Sequence, residues 1–489
     1  MILNKHSQGL VGYSMWLRAS RQAVFVALII MLSAMIGLAT VALPLWFLVA
    51  GLFLPAFVVL AWIWPELGIV GVMALLCGIA PSWLVPQFPL AGGKMQASEL
   101  AFFALLAVIA IRAASGDRVL GNGLRAYAWP IGLLLGLALL SSISAYLFFH
   151  NGIRDILYET RIFIYWMITP SVVLAIDSRP RLNRFLLALV CLGVLLAVMV
   201  CVQSFTGITL LSARSAAVQL STANRVYSDV VRSSLAQGVY IILFSLFVIL
   251  ARYLLRISNI MASAPLVLIL TAGLLATFGR GVWIAGAIGV LILGLLVGRK
   301  SIPKLLIGGC AFVLMAAAFL SVSRPNMFDA LLERVTSIDT KVAEQDESLV
   351  WRRVEREYAY SKLLEYPLLG IGLGGEYQPI RDHRMVSEQK RYIHNSFLYL
   401  GLKLGMIAIV IPFWVCWLMF INGRVLMRKI KDPRYRAITA AAVSAFMLPN
   451  LTSFTQPEWM DHPGVAFMGI MIGLVGVLNN LYEEHQFNN

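Results

Sequence analysis

Residues 185–202 read FLLALVCLGVLLAVMVCV, an apolar run without a charged side chain. A helix needs about 20 such residues to cross the hydrocarbon core of a membrane. Similar runs recur along the chain, whose 489 residues are 60% hydrophobic and only 13% charged. A water-soluble domain carries about twice that charged fraction. The short alternating strands typical of outer-membrane barrels do not occur in the pattern, so the sequence predicts an all-α polytopic membrane protein.

The apolar runs predict about 12–14 transmembrane helices. The candidate runs lie near residues 22–40, 44–63, 67–86, 97–113, 127–149, 160–177, 183–205, 235–255, 262–279, 281–298, 304–322, 396–421, 437–453 and 464–482. The first run is longer than the apolar core of a signal peptide, about 7–15 residues, and is interpreted as a span. One long polar stretch divides the chain into an N-terminal helix bundle (1–322), a large loop (323–395) and C-terminal helices (396–489).

The distribution of Lys and Arg predicts the orientation in the membrane. With the N-terminus in the cytoplasm, the inside segments hold twenty Lys and Arg, against seven in the short outer loops. Short loops follow this positive-inside bias, whereas a long loop can cross regardless of its charge. Both termini are therefore predicted to be cytoplasmic, and the 323–395 loop to lie on the other side. Most of the net charge of +15 follows from this bias, so it does not indicate nucleic-acid binding.

Within the large loop, residues 348–366 have the pattern of a helix that could lie on the membrane surface or roof a cavity. One side is predicted to be mostly apolar: Leu349, Trp351, Val354, Tyr358 and Leu364. The rest is charged: Arg352, Arg353, Glu355, Arg356, Glu357 and Lys362. A small packed cap with solvated charges is an equal alternative. Pro367 and the glycines after it are expected to end the helix.

Ionisable residues at the ends of membrane spans are costly, which makes each a candidate site. Arg280 stands between two apolar runs on the predicted outer surface, against the positive-inside bias. It could face an anionic ligand with its guanidinium, or extend to lipid headgroups as an ordinary interfacial arginine. Arg225 and Arg232, in the outer loop 206–234, are further candidates, and an ordinary solvated loop arginine is the alternative for each.

Glu159 and Arg161 open another span from the outer side, and their spacing predicts different partners, because residues two apart do not face each other on a helix. His394 lies where the polar loop enters a span. A neutral histidine there can accept a proton from a hydroxyl near neutral pH, and an ordinary interfacial histidine is the alternative.

Other polar features are weaker signals. The glycine-rich run 367–375 has no strand–helix unit around it and is best interpreted as a tight connection. Possible acid–base groups on the outer surface are Glu376, Asp382, Glu458 and Asp461. His, Asp and Glu show no metal-ligand spacing, so neither a metal nor another cofactor is predicted.

Several of these residues recur in an order that resembles the O-antigen ligase and polysaccharide polymerase family of bacterial inner-membrane proteins, most densely over about 220–410. The matching parts are Arg225 ten residues before Leu235-Ala236, Arg280 followed by Gly281, Arg352 or Arg353 at the start of the loop helix, the run Pro367-Leu-Leu-Gly-Ile-Gly-Leu-Gly, and His394-Asn395 followed by nine residues and Gly405. The ligase pattern often has Gly, Thr or Tyr three residues after that last glycine, where this chain has Ala408. The departure favours polymerase over ligase by a small margin.

The resemblance implies a GT-C-like fold and a metal-independent, inverting glycosyltransferase with one large periplasmic loop. Its donor would be an undecaprenyl-diphosphate-linked glycan, and its acceptor a glycan or lipid A-core. His394, Arg280 and Arg225 would be catalytic. The remaining candidates would bind substrate: Arg232, Arg352, Arg353, Asn395, Glu159 and Arg161. Membrane lipids are implied partners, nucleic acid is not, and contacts with other polysaccharide export and chain-length proteins stay open.

Two other classes of function remain as alternatives. A polysaccharide or small-solute transporter would carry out no chemistry, but carriers usually show paired polar interruptions in their spans. Here the spans look clean, and the polar candidates gather at one surface. A scaffold for other polysaccharide enzymes would tolerate replacement of every candidate residue.

Overall fold

The computed structural model describes residues 45–80, 87–90, 93–116, 120–211, 217–221, 226–233, 238–336, 347–377 and 391–487. The predicted first span at 22–40 lies outside these residues, as do Arg225 and Asp382. The described ranges are almost entirely helical, and each predicted span from 44–63 onward overlaps a helix.

The helices of the described ranges are α1 (Leu45–Ile63), α2 (Pro65–Leu76), α3 (Ala97–Ala114), α4 (Arg125–Leu147), α5 (Ile153–Ile164), α6 (Ile168–Ala175), α7 (Arg179–Thr206), α8 (Gly238–Leu254), α9 (Ile260–Leu275), α10 (Arg280–Val297), α11 (Ile302–Ser323), α12 (Pro325–Thr336), α13 (Glu347–Glu365), α14 (Ser396–Leu404), α15 (Ile407–Lys429), α16 (Pro433–Thr452) and α17 (His462–Phe487). Short 3-10 turns occupy Tyr165–Met167, Arg299–Ser301 and Glu458–Met460. Two antiparallel hairpins pair β1 (Gln87–Leu90) with β2 (Gly93–Gln96) and β3 (Ala217–Ser221) with β4 (Val226–Ser233).

Seven helices of the described ranges are long and apolar enough to cross a membrane, and four shorter apolar helices accompany them. The chain is therefore an all-α polytopic membrane protein, which confirms the predicted fold class. Helix α8 lies at its centre, packed against α7, α9, α10, α16 and α17. Small residues allow close packing there: a Cβ on Gly193 of α7 would lie 2.2 Å from Ser245 Oγ of α8.

Two predicted spans are broken, and hydropathy alone does not show the breaks. The run 160–177 is interrupted by the 3-10 turn at 165–167. The run 396–421 divides at Gly405, whose φ of +93° favours glycine. A Cβ at Gly405 would also lie 1.9 Å from Leu368 O, and Met406 N donates to Pro367 O at 2.9 Å. The single predicted span is thus a nine-residue helix, α14, followed by the 23-residue α15.

The loop helix α13 forms where the sequence predicts it, but its buried side is not the predicted one. Leu364 is 55% exposed, whereas Glu355 is only 2% exposed. The buried stripe runs through Glu355, Ala359 and Leu363, spaced by one helical turn each. Helix α13 packs on α14 through this stripe. The N-terminal position of the stripe holds the carboxylate of Glu355 instead of an apolar side chain, which is tolerated because the carboxylate has a hydrogen-bond partner.

The glycine-rich run after α13 is a tight connection between helices. Gly370, Gly372 and Gly374 all have φ between +66° and +77°. A Cβ at Gly370 would lie 2.1 Å from Leu402 O, and one at Gly372 would lie 2.7 Å from Ala145 Cβ. The run therefore lets the backbone approach α14 and α4 closely.

Candidate active site

Histidine 394 lies immediately before α14 and is fixed by the buried carboxylate of Glu355 on α13. His394 Nδ1 lies 2.9 Å from Glu355 Oε2 and 3.1 Å from Oε1, and the backbone N–H of His394 donates to Oε2 at 3.2 Å. The edge of the Tyr392 ring packs against the imidazole, with 4.9 Å between ring centroids. The His394 side chain is 29% exposed, so the ring is held through Nδ1 and remains partly accessible.

The carboxylate determines which nitrogen of His394 can act as a base. An ionised carboxylate only accepts hydrogen bonds, so Nδ1 must carry the proton that it donates to Glu355. In the neutral ring, Nε2 then carries the lone pair. No hydrogen-bond partner of Nε2 is found among the described residues. This is the arrangement in which a carboxylate orients a histidine and stabilises the imidazolium that forms on proton transfer.

Two arginines from distant parts of the chain, Arg280 and Arg352, lie close enough to Arg232 for their charges to act on it. Burial lowers the pKa of the Arg232 guanidinium, and the positive charges of Arg352 and Arg280 lower it further. Arg232 Nε is buried without a hydrogen-bond partner among the described residues. We call Arg232, Arg280 and Arg352 the arginine cluster. Since like charges repel, such a cluster is suited to a ligand with more than one negative charge.

A small apolar core brings strand β4, which carries Arg232, together with the turn that precedes Arg280. Tyr227 and Val230 of β4 are buried in it with Phe278, from the turn between α9 and α10. Arg232 follows Val230 by two residues, and Arg280 follows Phe278 by two. Phe278 is a non-glycine residue with φ of 51°, a conformation that persists only where its surroundings enforce it. Tyr227 Oη also donates to Glu333 Oε2 of α12 at 2.7 Å, which fixes the β3–β4 hairpin on the loop.

Helix α10 contributes to the same positive region through its first turn. Arg280 is its first residue, and Gly279 caps it without a side-chain hydrogen bond. The N–H groups of a first turn lack partners within the helix and carry the positive end of its dipole. An anion bound by Arg280 would therefore also face these backbone donors.

Helix α13 joins the arginine cluster to the histidine. Arg352 and Glu355 are three residues apart on it, which places their Cβ atoms about 5–6 Å apart on one face. Glu355 bonds His394, while the charge of Arg352 acts on Arg232. A second path of contacts leads to Arg280: a Cβ at Gly281 would lie 3.7 Å from Thr455 Oγ1, and Asn395 Nδ2 donates to Phe454 O at 3.1 Å. The candidate base and the candidate anion site thus share one end of the helix bundle.

The other predicted site residues have partners of their own. Glu159 accepts from Gly374 N at 2.7 Å and from Lys403 Nζ at 3.1 Å, both buried. Arg161 instead pairs with Glu99 at 3.1 Å, so the two residues do have different partners.

Asn395 caps α14, because its Oδ1 accepts from Leu398 N at 2.9 Å. Arg353 is exposed on α13, and the charge that acts on Arg232 is that of Arg352. Arg225 lies outside the described residues. The substrate-binding roles of Glu159, Arg161, Asn395 and Arg353 stay predictions.

Sequence reasoning missed Glu355, which it placed on the charged side of the loop helix. The signal available was its spacing: Glu355 stands one turn from Arg352, on the face that Ala359 and Leu363 continue. Its partner His394 is 39 residues away in sequence, so the pairing becomes visible only once α13 packs on α14.

A family model described as O-Antigen ligase (Wzy_C) matches residues 265–413. This confirms the resemblance to the O-antigen ligase and polysaccharide polymerase family. A comparison with curated proteins found no match. The matched segment includes Arg280, Arg352, Glu355 and His394, and Arg232 precedes it. The match supports glycan transfer of the ligase or polymerase type at a membrane.

Proposed function

We propose that this chain, which resembles the O-antigen ligases over residues 265–413, transfers a glycan from an undecaprenyl-diphosphate-linked donor to a glycan acceptor. The acceptor is a second lipid-linked glycan in a polymerase, or lipid A-core in a ligase. Transfer takes place at the periplasmic face of a bacterial inner membrane, with both termini of the chain in the cytoplasm.

One observation carries the proposal: α13 presents Arg352 and Glu355 on the same face, so a histidine base and a cationic cluster converge. A glycosyl transfer from a lipid diphosphate needs both functions at once. The acceptor hydroxyl must lose a proton, and the leaving diphosphate gains negative charge. A transporter without catalysis would not need a base that deprotonates an acceptor hydroxyl beside a site for a leaving diphosphate.

The bond changes follow from this geometry. His394 Nε2 takes the proton of the acceptor hydroxyl, while Glu355 stabilises the imidazolium. The hydroxyl oxygen attacks the anomeric carbon on the side opposite the diphosphate, so the configuration at that carbon inverts. The bond from the anomeric carbon to the diphosphate oxygen breaks, and the electron pair leaves with the lipid diphosphate. The proton passes from His394 to solvent.

The arginine cluster stabilises the departing diphosphate. A guanidinium binds phosphate oxygens through two parallel hydrogen bonds, and these strengthen as charge develops. Arg232, Arg280 and Arg352 thereby supply the positive charge that a divalent cation supplies in many glycosyltransferases, which makes the proposed reaction metal-independent. Helix α13 covers the reacting groups, while the lipid tail stays among the membrane helices.

The direct test uses the purified full-length chain in detergent with undecaprenyl-diphosphate-linked repeat units. We expect a polymerase to lengthen the glycan without further acceptor, and a ligase to form product only when lipid A-core is added. Product is measured by gel mobility and mass spectrometry. His394→Ala should abolish most product in either case.

His150→Asn provides a matched control. His150 is exposed, lies between α4 and α5, and has φ of 51°, which asparagine tolerates. This variant should retain wild-type activity. Full glycan output in cells from His394→Ala would overturn the catalytic proposal and favour a transporter.

A further inference from the structure

Glu458 is a buried carboxyl next to the candidate active site that the proposed mechanism does not use. It begins the 3-10 turn between α16 and α17, and it is 4% exposed. Its Oε1 accepts from Tyr240 Oη of α8 at 2.6 Å, and the same hydroxyl lies 2.5 Å from Thr452 Oγ1 of α16. Its Oε2 is buried without a hydrogen-bond partner in the described part of the chain. Such a group is costly unless it has a function.

The segment that Glu458 anchors also holds the start of α14. The backbone N–H of Ser396 donates to Ser453 O at 2.8 Å, and Ser396 Oγ donates to Gln456 O at 2.9 Å. Ser396 Oγ in turn accepts from Trp459 N at 3.2 Å. Asn395 Nδ2 adds the bond to Phe454 O. His394 directly precedes these residues, so the position of segment 453–460 determines where the histidine stands.

Glu458 lies between the two halves of the site. Tyr240, its donor, is near the start of α8, the helix that follows β4 and its Arg232. Ser396, which the turn holds, belongs to the helix that follows His394. A single carboxyl therefore links the helix next to the arginine cluster with the helix next to the base.

Burial raises the pKa of Glu458 to about 8, and the negative charge of Asp461 also raises it. The hydrogen bonds with Tyr240 and Thr452 lower this pKa, but by less than burial raises it. The titratable and charged groups on the elements around the turn are Tyr240 from α8, Asp461 and His462 at the start of α17, and Arg161 from α5, with Glu99 and Tyr165 behind them. Glu458 is thus neutral at pH 7. In this form its side chain is held in place by the hydrogen bond that Tyr240 donates.

We propose that Glu458 is a positioning residue: its buried carboxyl anchors segment 453–460 to α8 and α16, and thereby keeps His394 aligned with the arginine cluster. This inference rests on the proposed function. It assigns Glu458 no contact with substrate. Loss of the anchor shifts the base relative to the diphosphate, so it lowers turnover more than it weakens donor binding.

The contribution of Glu458 to folding stability depends on pH in a defined direction. In the unfolded chain Glu458 ionises near its usual value of 4.5, but in the folded protein it keeps its proton up to about pH 8. The unfolded state therefore binds fewer protons between these values, and Glu458 makes the protein less stable as pH rises through this window. Above about pH 8 the folded carboxyl ionises; the hydrogen bond that it accepts from Tyr240 then strengthens, while a buried negative charge comes to lie beside Asp461.

The test compares wild type with Glu458→Gln and Glu458→Ala, each as the full chain in detergent with lipid-linked repeat units. The glutamine amide oxygen can still accept from Tyr240, so Glu458→Gln should keep near wild-type kcat at pH 7. Glu458→Ala should lose about 10-fold in kcat, with the donor KM little changed. Glu458→Gln should also gain thermal stability relative to wild type as pH rises from 5 to 8.

Glu66→Gln provides a matched control, because Glu66 is also a buried carboxyl but bonds Arg184 of α7. It should not alter kcat per folded molecule. Unchanged kcat in folded Glu458→Ala, or a kcat in Glu458→Gln as low as that of Glu458→Ala, would overturn the positioning role. His394→Ala is assayed in parallel. If it remains active, the proposed function itself fails; if it alone is inactive, only the role of Glu458 fails.

Discussion

Two buried carboxylates at the same end of the molecule, Glu159 and Glu355, differ in what surrounds them. Glu159 accepts from the backbone of the glycine-rich run and from Lys403, whose side chain is fully buried. Glu355 bonds a histidine that is partly exposed and lies near the arginine cluster. Both carboxylates have partners, but only His394, the partner of Glu355, retains a nitrogen that can act on another molecule.

The difference separates a structural ion pair from a candidate catalytic pair. Lys403 Nζ donates to both Glu159 and Gly375 O, so it fastens the connection between α13 and α14. Replacing it should affect folding. His394 instead makes its described side-chain hydrogen bonds through one nitrogen, and replacing it should affect chemistry. The following predictions test that division.

The largest effect is expected for His394→Ala. Removal of a general base costs about 10²–10⁴-fold in rate, and we expect a loss of this size in kcat with donor and acceptor at saturation. The variant also takes from the buried Glu355 its side-chain partner, so some thermal stability should be lost and kcat is therefore measured per folded molecule. A loss of activity that merely follows a loss of folded protein would contradict a catalytic role.

A smaller loss is expected for single replacements in the arginine cluster. Arg280→Ala or Arg352→Ala removes charge-assisted hydrogen bonds to the diphosphate, each worth about 1.5–3 kcal/mol, or roughly 10–100-fold in kcat/KM. Lysine at either position should restore only part of the activity, since it lacks the planar fork. Arg353→Ala is the comparison on the same helix and should lose less activity, because Arg353 is exposed and the charge that acts on Arg232 is that of Arg352. Equal losses from Arg352 and Arg353 would contradict the assigned face of α13.

Glu355→Gln should have a further, smaller effect. The amide preserves shape but removes the charge that orients the imidazole and stabilises its protonated form, and we expect about a 10-fold lower kcat. The measurement is kcat per folded molecule with donor and acceptor at saturation. An unchanged kcat would indicate that Glu355 only fills space.

The smallest effect on turnover is expected for Lys403→Met. It leaves Glu159 buried without its cation, which costs about 3–5 kcal/mol of folding stability. The activity per folded molecule should nevertheless stay within about 2-fold of the wild type. Lys362→Met, in the exposed pair with Glu365 at 2.7 Å, is the control and should leave stability nearly unchanged. A large drop in specific activity for folded Lys403→Met would place this pair in the active site.

The spans could be predicted from hydropathy, because lipid tolerates few charged residues and each span must satisfy its own backbone. The breaks within the runs 160–177 and 396–421 could not be predicted from hydropathy. Residues 396–421 are apolar on both sides of Gly405, and the division results from the approach of Leu368 and Pro367, which are distant in sequence.

The chemistry of the site was partly visible in the same way. Arg280 and His394 stand out in the sequence because each is an ionisable residue at the end of an apolar run. Arg352 and Arg353 could not be distinguished, since adjacent residues on one helix differ only in the direction they face. Glu355 was missed because a charged residue on a polar helix normally faces solvent, and only the packing of α13 on α14 buries it.

The break at Gly405 has a consequence for the spacing between His394 and Gly405. Asn395 and segment 453–460 hold one end of α14, and the contacts of Gly405 and Met406 with Leu368 and Pro367 hold the other. The length of the nine-residue helix α14 therefore fixes the distance between these two sets of contacts. One inserted residue would lengthen it by about 1.5 Å and turn its start by about 100°, which would point the imidazole away from the arginines. The length of α14 therefore determines the orientation of the His394 imidazole.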